Sequence, residues 1–286
     1  MAGLHRSPFK GLSTEFADHR DYTPGDDPRH IDWRAYARSD RMSVKRYEDE
    51  TNFITYIAID VSPSMRYRGP EASLSKFEYA QCLAAALSWL VLDSRNAVAM
   101  TSLGAEEEIW LAPGDSEAQL TRVIQTLEAM EAEKGVRTLF PPRETAASFA
   151  DPQEKSPDPF FARLDDRFRR RGVVVILSDM LDDADGWLTA LRLLKGRRHD
   201  IVVFQTLDPA ELDLPLTGVT QFDDLEGAPT VVADAGSIRC AYRHEITRHC
   251  ETLRRGCLAS EIDFHMARTD MPLDEPLRGG LSRQQR

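Results

Sequence analysis

The sequence predicts an α/β fold in which a mostly parallel central sheet is covered by helices on both faces. Three observations carry this expectation. The runs "FITYIAID" (53–60), "VVVILSD" (173–179) and "DIVVFQTL" (200–207) are continuously apolar, as strands buried on both faces are. Helical stretches lie between them, and strands alternating with helices call for crossover connections. Two of the three runs end in aspartate, and in such folds ligands sit outside the carboxyl ends of the strands.

Taken in order, residues 1–52 are rich in charge and turn signals, and only "MSVKRYE" (42–48) alternates as a strand does. They are expected to form an extension packed on the sheet. The α/β domain is expected over 53–270. Residues 74–92 read as a helix apolar on most faces. "AVAMTSL" (97–103) and "EEIWLA" (107–112) read as successive strands, a hairpin across "GAE". Leu120, Val123, Ile124, Leu127 and Met130 fall on one side of a helix over 116–132. "GVRTLFPP" makes a loop, 143–150 a short helix, and "DPQEKSPDP" (151–159) a surface linker. A helix through 171 leads into the second buried run, and another over about 183–196 leads into the third. "VTQFDD" and "PTVVAD" read as short edge strands joined by "LEGA". A helix over about 236–258 and a last strand, "IDFHMAR", follow, and 271–286 reads as a flexible tail.

Composition excludes several classes. With 286 residues, 42% hydrophobic and 29% charged, the chain can bury a sizeable core. Lys and Arg number 36 against 47 Asp and Glu, and the net charge of −11 argues against broad nucleic-acid binding. The cluster "RFRRR" (167–171) reads as a solvated helix face. The four cysteines form no CxxC pair, which suits a reducing compartment. Cys240 with His244, and His249 with Cys250, invite a zinc reading. Ile238, Tyr242, Ile246, His249, Leu253 and Cys257 share one helical stripe, however, and a core face is favoured. The start "MAGLHRSPFKG" has no apolar signal core, and "CLAAALSWLVL" (82–92) falls short of the ~20 residues a membrane span needs. A cytoplasmic protein is expected.

The first candidate site lies at "IAIDVSPSMRYRG" (57–69). Asp60, Ser62 and Ser64 leave the strand at every second position. They read either as a turn, with a serine capping the next helix, or as part of a metal site. Asp60 and Asp179 would face one crevice if their strands are neighbours. Two carboxylates ~5 Å apart repel by roughly 3 kcal/mol at an effective dielectric near 20, so a cation or a proton must relieve them. Pro63 restricts the loop so that both hydroxyls can face one point. Thr138 in "GVRTLFPP" offers another hydroxyl. Such a hard-oxygen set with few charges suits magnesium or manganese and suits zinc poorly.

Asp60-x-Ser62-x-Ser64 with a later Thr138 and Asp179 resembles the metal-ion-dependent adhesion site of von Willebrand factor A domains. Upstream, "YTPGDDPRHIDWRAYARSDRMSVKRYEDE" is similar to the signature of the bacterial family called domain of unknown function 58. In that family such a segment precedes a von Willebrand A-like domain, and the resemblance runs from about residue 9 to about 270. It implies a doubly wound sheet with the metal at its top. Ser62 and Ser64 would bind Mg2+ (or Mn2+) directly, and Asp60, Thr138 and Asp179 directly or through water. An open position would receive an acidic residue of a protein partner. Many relatives carry transmembrane segments before this region, and the present sequence shows none. Relatives are also commonly associated with MoxR-type AAA+ ATPases, which implies an adaptor or co-chaperone role. At the start of "GDDPRHIDW" (25–33), Gly25 makes a turn with the preceding Pro24, and Arg29 can pair with Asp26 or Asp32. A structural extension is favoured there; as a binding motif, Arg29 and Arg34 would be its contacts.

Three function classes follow: a non-enzymatic, metal-dependent protein-interaction module, a magnesium-dependent phosphatase-like hydrolase, and a scaffold whose metal only supports folding. The aspartate that ends the first buried run is followed by serines and lacks a D-x-D arrangement there, and the sequence has no GxSxG elbow and no P-loop, so the first is expected.

Overall fold

The computed structural model describes residues 15–23, 31–39, 41–48, 53–104, 109–130, 167–223, 225 and 230–281. The chain divides into two compact units, 1–52 and 53–286. In the first, β1 (Glu15–Asp21) pairs antiparallel with β2 (Ser43–Glu48), and α1 (Trp33–Ser39) lies between them in sequence. The end of the "GDDPRHIDW" segment is built into this unit. Ile31 bridges to Val44, and Asp32 Oδ1 accepts from the Ala35 N–H at the start of α1.

The second unit is a six-stranded sheet in the order β10-β7-β6-β3-β4-β5. Its strands are β3 (Ile54–Asp60), β4 (Ala97–Leu103), β5 (Trp110–Gly114), β6 (Gly172–Ser178), β7 (Asp200–Leu207) and β10 (Asp263–Arg268). All neighbours are parallel except the edge pair β4–β5. Counted within this sheet alone, the strands run in the order 3-2-1-4-5-6 of a doubly wound fold, and the winding reverses between β3 and β6. The expected fold class is therefore the observed one.

Period-2 alternation splits the strands between two core layers. On one face Tyr56, Ala58, Val174, Ile176 and Val203 pack with Trp187, Leu188 and Leu191 of α4 (Ala184–Gly196) and with Leu253 and Cys257 of α6 (Ala235–Ala259). On the other, Ile57, Ile59, Val175, Leu177 and Phe204 pack with Phe77, Leu83 and Leu87 of α2 (Lys76–Asp93) and with Val123 and Leu127 of α3 (Glu117–Ala129). Every described residue of β3 and β4 is buried, which explains the unbroken apolar runs. The α6 stripe is a core face, as expected, with Ile246, Cys250, Leu253 and Cys257 buried.

Four expectations need correction. Ile124 faces solvent, because at the edge of the α3 stripe it sits beyond the reach of the sheet. Residues 219–222 and 231–234 do not extend the main sheet; β8 (Val219–Phe222) and β9 (Val231–Asp234) form their own antiparallel ribbon with three valines exposed. Residues 168–171 are not helical, and "RFRRR" is no helix face. Phe168 is buried against Tyr56 at 4.4 Å, and Arg167 stacks on Trp110. Within the stretch read as a flexible tail, Asp274–Leu281 form α7, whose Leu277 packs on the α2 side of the core. The loop, short helix and linker expected over 135–159 lie outside the described residues.

Candidate metal centre

Asp60 ends β3 and Ser178 ends β6, on neighbouring parallel strands at the switch point of the sheet. The Asp60 side chain is buried. Its Oδ1 accepts from the Ser62 N–H at 2.8 Å, and its Oδ2 accepts from the Ser178 hydroxyl at 2.5 Å. Ser178 Oγ in turn accepts from the Met180 N–H at 3.0 Å, so one hydroxyl ties the carboxylate to the backbone beyond β6. Ser62 precedes a 3-10 turn over Pro63–Arg66, where Pro63 lacks an N–H that the first turn does not need. The hydroxyls of Ser62 and Ser64 lie 3.0 Å apart. Ser62 makes no capping bond; α2 is capped by Ser75, which forms a reciprocal box with Glu78. The capping role considered for the serines thus falls elsewhere.

Asp179 follows directly. Its Oδ1 accepts a long bond from the Leu181 N–H (3.4 Å), and Gln205 donates to its carbonyl at 3.0 Å. Met180, next in the chain, holds φ at +50°, a conformation that costs a non-glycine residue of order 1–3 kcal/mol. It is kept there by full burial and by His249 Nε2, 2.6 Å from its carbonyl oxygen.

The sequence reading missed the cation already present. Lys76 opens α2 and is entirely buried. Its ammonium donates to Asp179 Oδ2 at 2.7 Å and to Glu211 Oε1 at 2.5 Å. Glu211 belongs to the short helix α5 (Pro209–Asp213), and its other oxygen accepts from the Asp208 N–H at 2.9 Å. Asp208 gathers three further donors: the Ala210 N–H, the Gly69 N–H and the Thr269 hydroxyl. The approach of the Gly69 loop needs a glycine, since a β-carbon there would lie 2.1 Å from Asp208 Oδ1. Two signals were available in the sequence: a lysine at the first position of a helix, where the dipole disfavours cations, and the capping pattern "DPAE" at a strand end.

The charges are unbalanced around Asp60. Burial pushes its carboxyl up to about 7, and the neighbouring charge of Asp179 adds to this, against the hydrogen bonds from Ser178 and Ser62. Burial alone would pull the Lys76 ammonium down, but Asp179 and Glu211 more than offset it, and its pKa is raised. Burial raises Glu211 as well, with Lys76 opposing.

Of the residues expected at the site, the fold brings together Asp60, Ser62, Ser64 and Asp179. Thr138 and Arg29 lie outside the described residues, and Arg34 falls in α1 of the first unit. Among the described residues no three His, Cys, Asp or Glu cluster as a metal group. The donors here are two carboxylates and two hydroxyls. That hard-oxygen set, holding a buried aspartate whose ionised form is only partly compensated by its two hydrogen bonds, fits Mg2+ or Mn2+.

The fold and site define a doubly wound α/β domain with a candidate cation site at its switch point. The chain belongs to the family described as "Protein of unknown function DUF58", whose model matches residues 18–252. It is 27% identical over 278 residues to Uncharacterized protein Rv1480 of Mycobacterium tuberculosis, covering 94% of this chain and 79% of that one. Uncharacterized protein Mb1516 of Mycobacterium bovis matches to the same extent. Among solved structures, the conserved hypothetical protein BatB from Bacteroides thetaiotaomicron is similar, with a TM-score of 0.48 and 15% identity over 81% of this chain and 98% of that one. The VWA domain of SpRpn10 gives 0.41 and 11% over 80% and 95%. No described helix is long and apolar enough to cross a membrane.

Proposed function

We propose that this chain is a non-enzymatic, metal-dependent protein-interaction module working in the cytoplasm. Ser62 and Ser64 would hold Mg2+ or Mn2+ directly, with Asp60 and Asp179 supplying charge directly or through water, and Thr138 adding a hydroxyl. A divalent cation held there supplies a Lewis-acidic position for a carboxylate of a protein partner. The observation that carries this reading is that Asp60, Asp179 and the loop bearing the paired Ser62 and Ser64 hydroxyls lie together at the switch point of the doubly wound sheet. Asp60 is fixed by two hydrogen bonds, so it orients the Ser62 loop as well as contributing charge. A MoxR-type AAA+ ATPase is the partner class this reading favours, and an adaptor or co-chaperone the role.

The test is affinity capture with the full chain in millimolar Mg2+ and in EDTA, beside Asp60→Ala. Partners retained in Mg2+ and lost in both EDTA and the variant support the reading. An identical set of partners under all three conditions overturns it.

A further inference from the structure

A lysine with no exposed surface is rare and needs paired charge around it. Lys76 has two carboxylates, and one of them, Asp179, is a candidate metal ligand. Its backbone place is fixed independently, one residue after the Ser75 cap, so the ammonium is carried to the site by the start of α2. Summed over Asp60, Asp179, Glu211 and Lys76, with all four ionised, the site carries three negative charges and one positive. One divalent cation would bring that sum to zero. The ammonium occupies Asp179 Oδ2 and leaves Oδ1 with only the long Leu181 bond, so an ion on the serine side would share Asp179 with it.

We propose that Lys76 is a tethered cation that shares Asp179 with the divalent ion and lowers the site's affinity for it, with Glu211 of α5 holding part of the ammonium's charge away from Asp179. This rests on the metal reading above. Two like charges on one carboxylate repel, more strongly in a buried site than in water. Removing the ammonium therefore strengthens cation binding. Removing the Glu211 charge leaves the ammonium wholly on Asp179 and weakens it. A purely structural lysine does not give these opposite directions, because loss of packing at either residue lowers affinity.

The experiment is calorimetric titration of the full chain with Mn2+ at pH 8, for the wild type, Lys76→Met and Glu211→Gln, with thermal melts with and without Mn2+. The expected result is binding at least ten-fold tighter in Lys76→Met and about ten-fold weaker in Glu211→Gln. The Mn2+-induced rise in melting temperature should be largest for Lys76→Met. Binding seen only in Lys76→Met supports the inference in its strongest form. Wild-type binding with equal or weaker binding in a folded Lys76→Met overturns it and leaves the metal reading standing. Should Lys76→Met fail to fold, unchanged or tighter binding in Glu211→Gln overturns it equally. No Mn2+ binding by any of the three chains removes the metal reading and this inference together.

Discussion

The Ser178 hydroxyl donates to Asp60 Oδ2 at 2.5 Å, across the pair of strands where the sheet reverses its winding. That bond joins the ends of β3 and β6 and steadies an aspartate that burial and Asp179 both drive toward its protonated form. In Ser178→Ala the charged acceptor loses a buried donor, which costs about 1.5–3 kcal/mol for a hydrogen bond to an ionised group. Urea denaturation at pH 8 should show a loss of that size. Mn2+ affinity at pH 7 should fall several-fold, since more of Asp60 then carries a proton. An unchanged denaturation midpoint would remove Ser178 from the site.

Cation binding should depend on pH through Asp60. Its carboxyl stands at about 7 in the folded chain against an ordinary value of 3.8, so between those limits the native state holds a proton that the unfolded chain has lost. Without metal, the Asp60 contribution to stability is greatest below the lower limit and is lost as pH rises toward 7. A cation must displace that proton. Mn2+ affinity should therefore climb from pH 5 to about 7 and level off above, and Asp60→Asn should flatten the climb. A wild-type affinity independent of pH across that range speaks against Asp60 as the titrating member.

The Gly69–Asp208 contact ties the loop after Ser64 to α5. In Gly69→Ala the new β-carbon enters the space of Asp208 Oδ1. Overpacking of this kind costs about 1–3 kcal/mol, and it displaces the acceptor shared by Gly69, Ala210 and Thr269. Thermal melts should show the loss. A fully stable variant would mean that the loop relaxes freely and that Asp208 does not hold it.

The sheet and half the site were legible because the signals were local. Apolar runs ending at Asp60 and Asp179 mark buried strands, and "DVSPS" sets two hydroxyls after the first of them. Lys76 cannot be placed in the site from sequence alone, because its partners lie 103 and 135 residues away and only the fold brings them within hydrogen-bond distance. Ser178 looked like the end of a strand, since nothing nearby in sequence marks its hydroxyl as a donor to Asp60. The β8–β9 valines carry a strand pattern as clear as that of the core, yet Val219 is 80% exposed. Periodicity gives a strand's faces without saying whether a sheet awaits them. Residues 271–286 read as a flexible tail by their terminal place alone, although Leu273 and Leu277 find the core and support a helix there.

Whether Ser62 and Ser64 hold a cation is decided by a crystal structure of the chain grown with Mn2+, with the ion located by its anomalous scattering. A peak is expected in contact with the hydroxyls of Ser62 and Ser64, beside Asp179 and absent in Ser62→Ala. A chain saturated with Mn2+ that shows no peak at these hydroxyls, or shows its ion elsewhere, would contradict the metal reading.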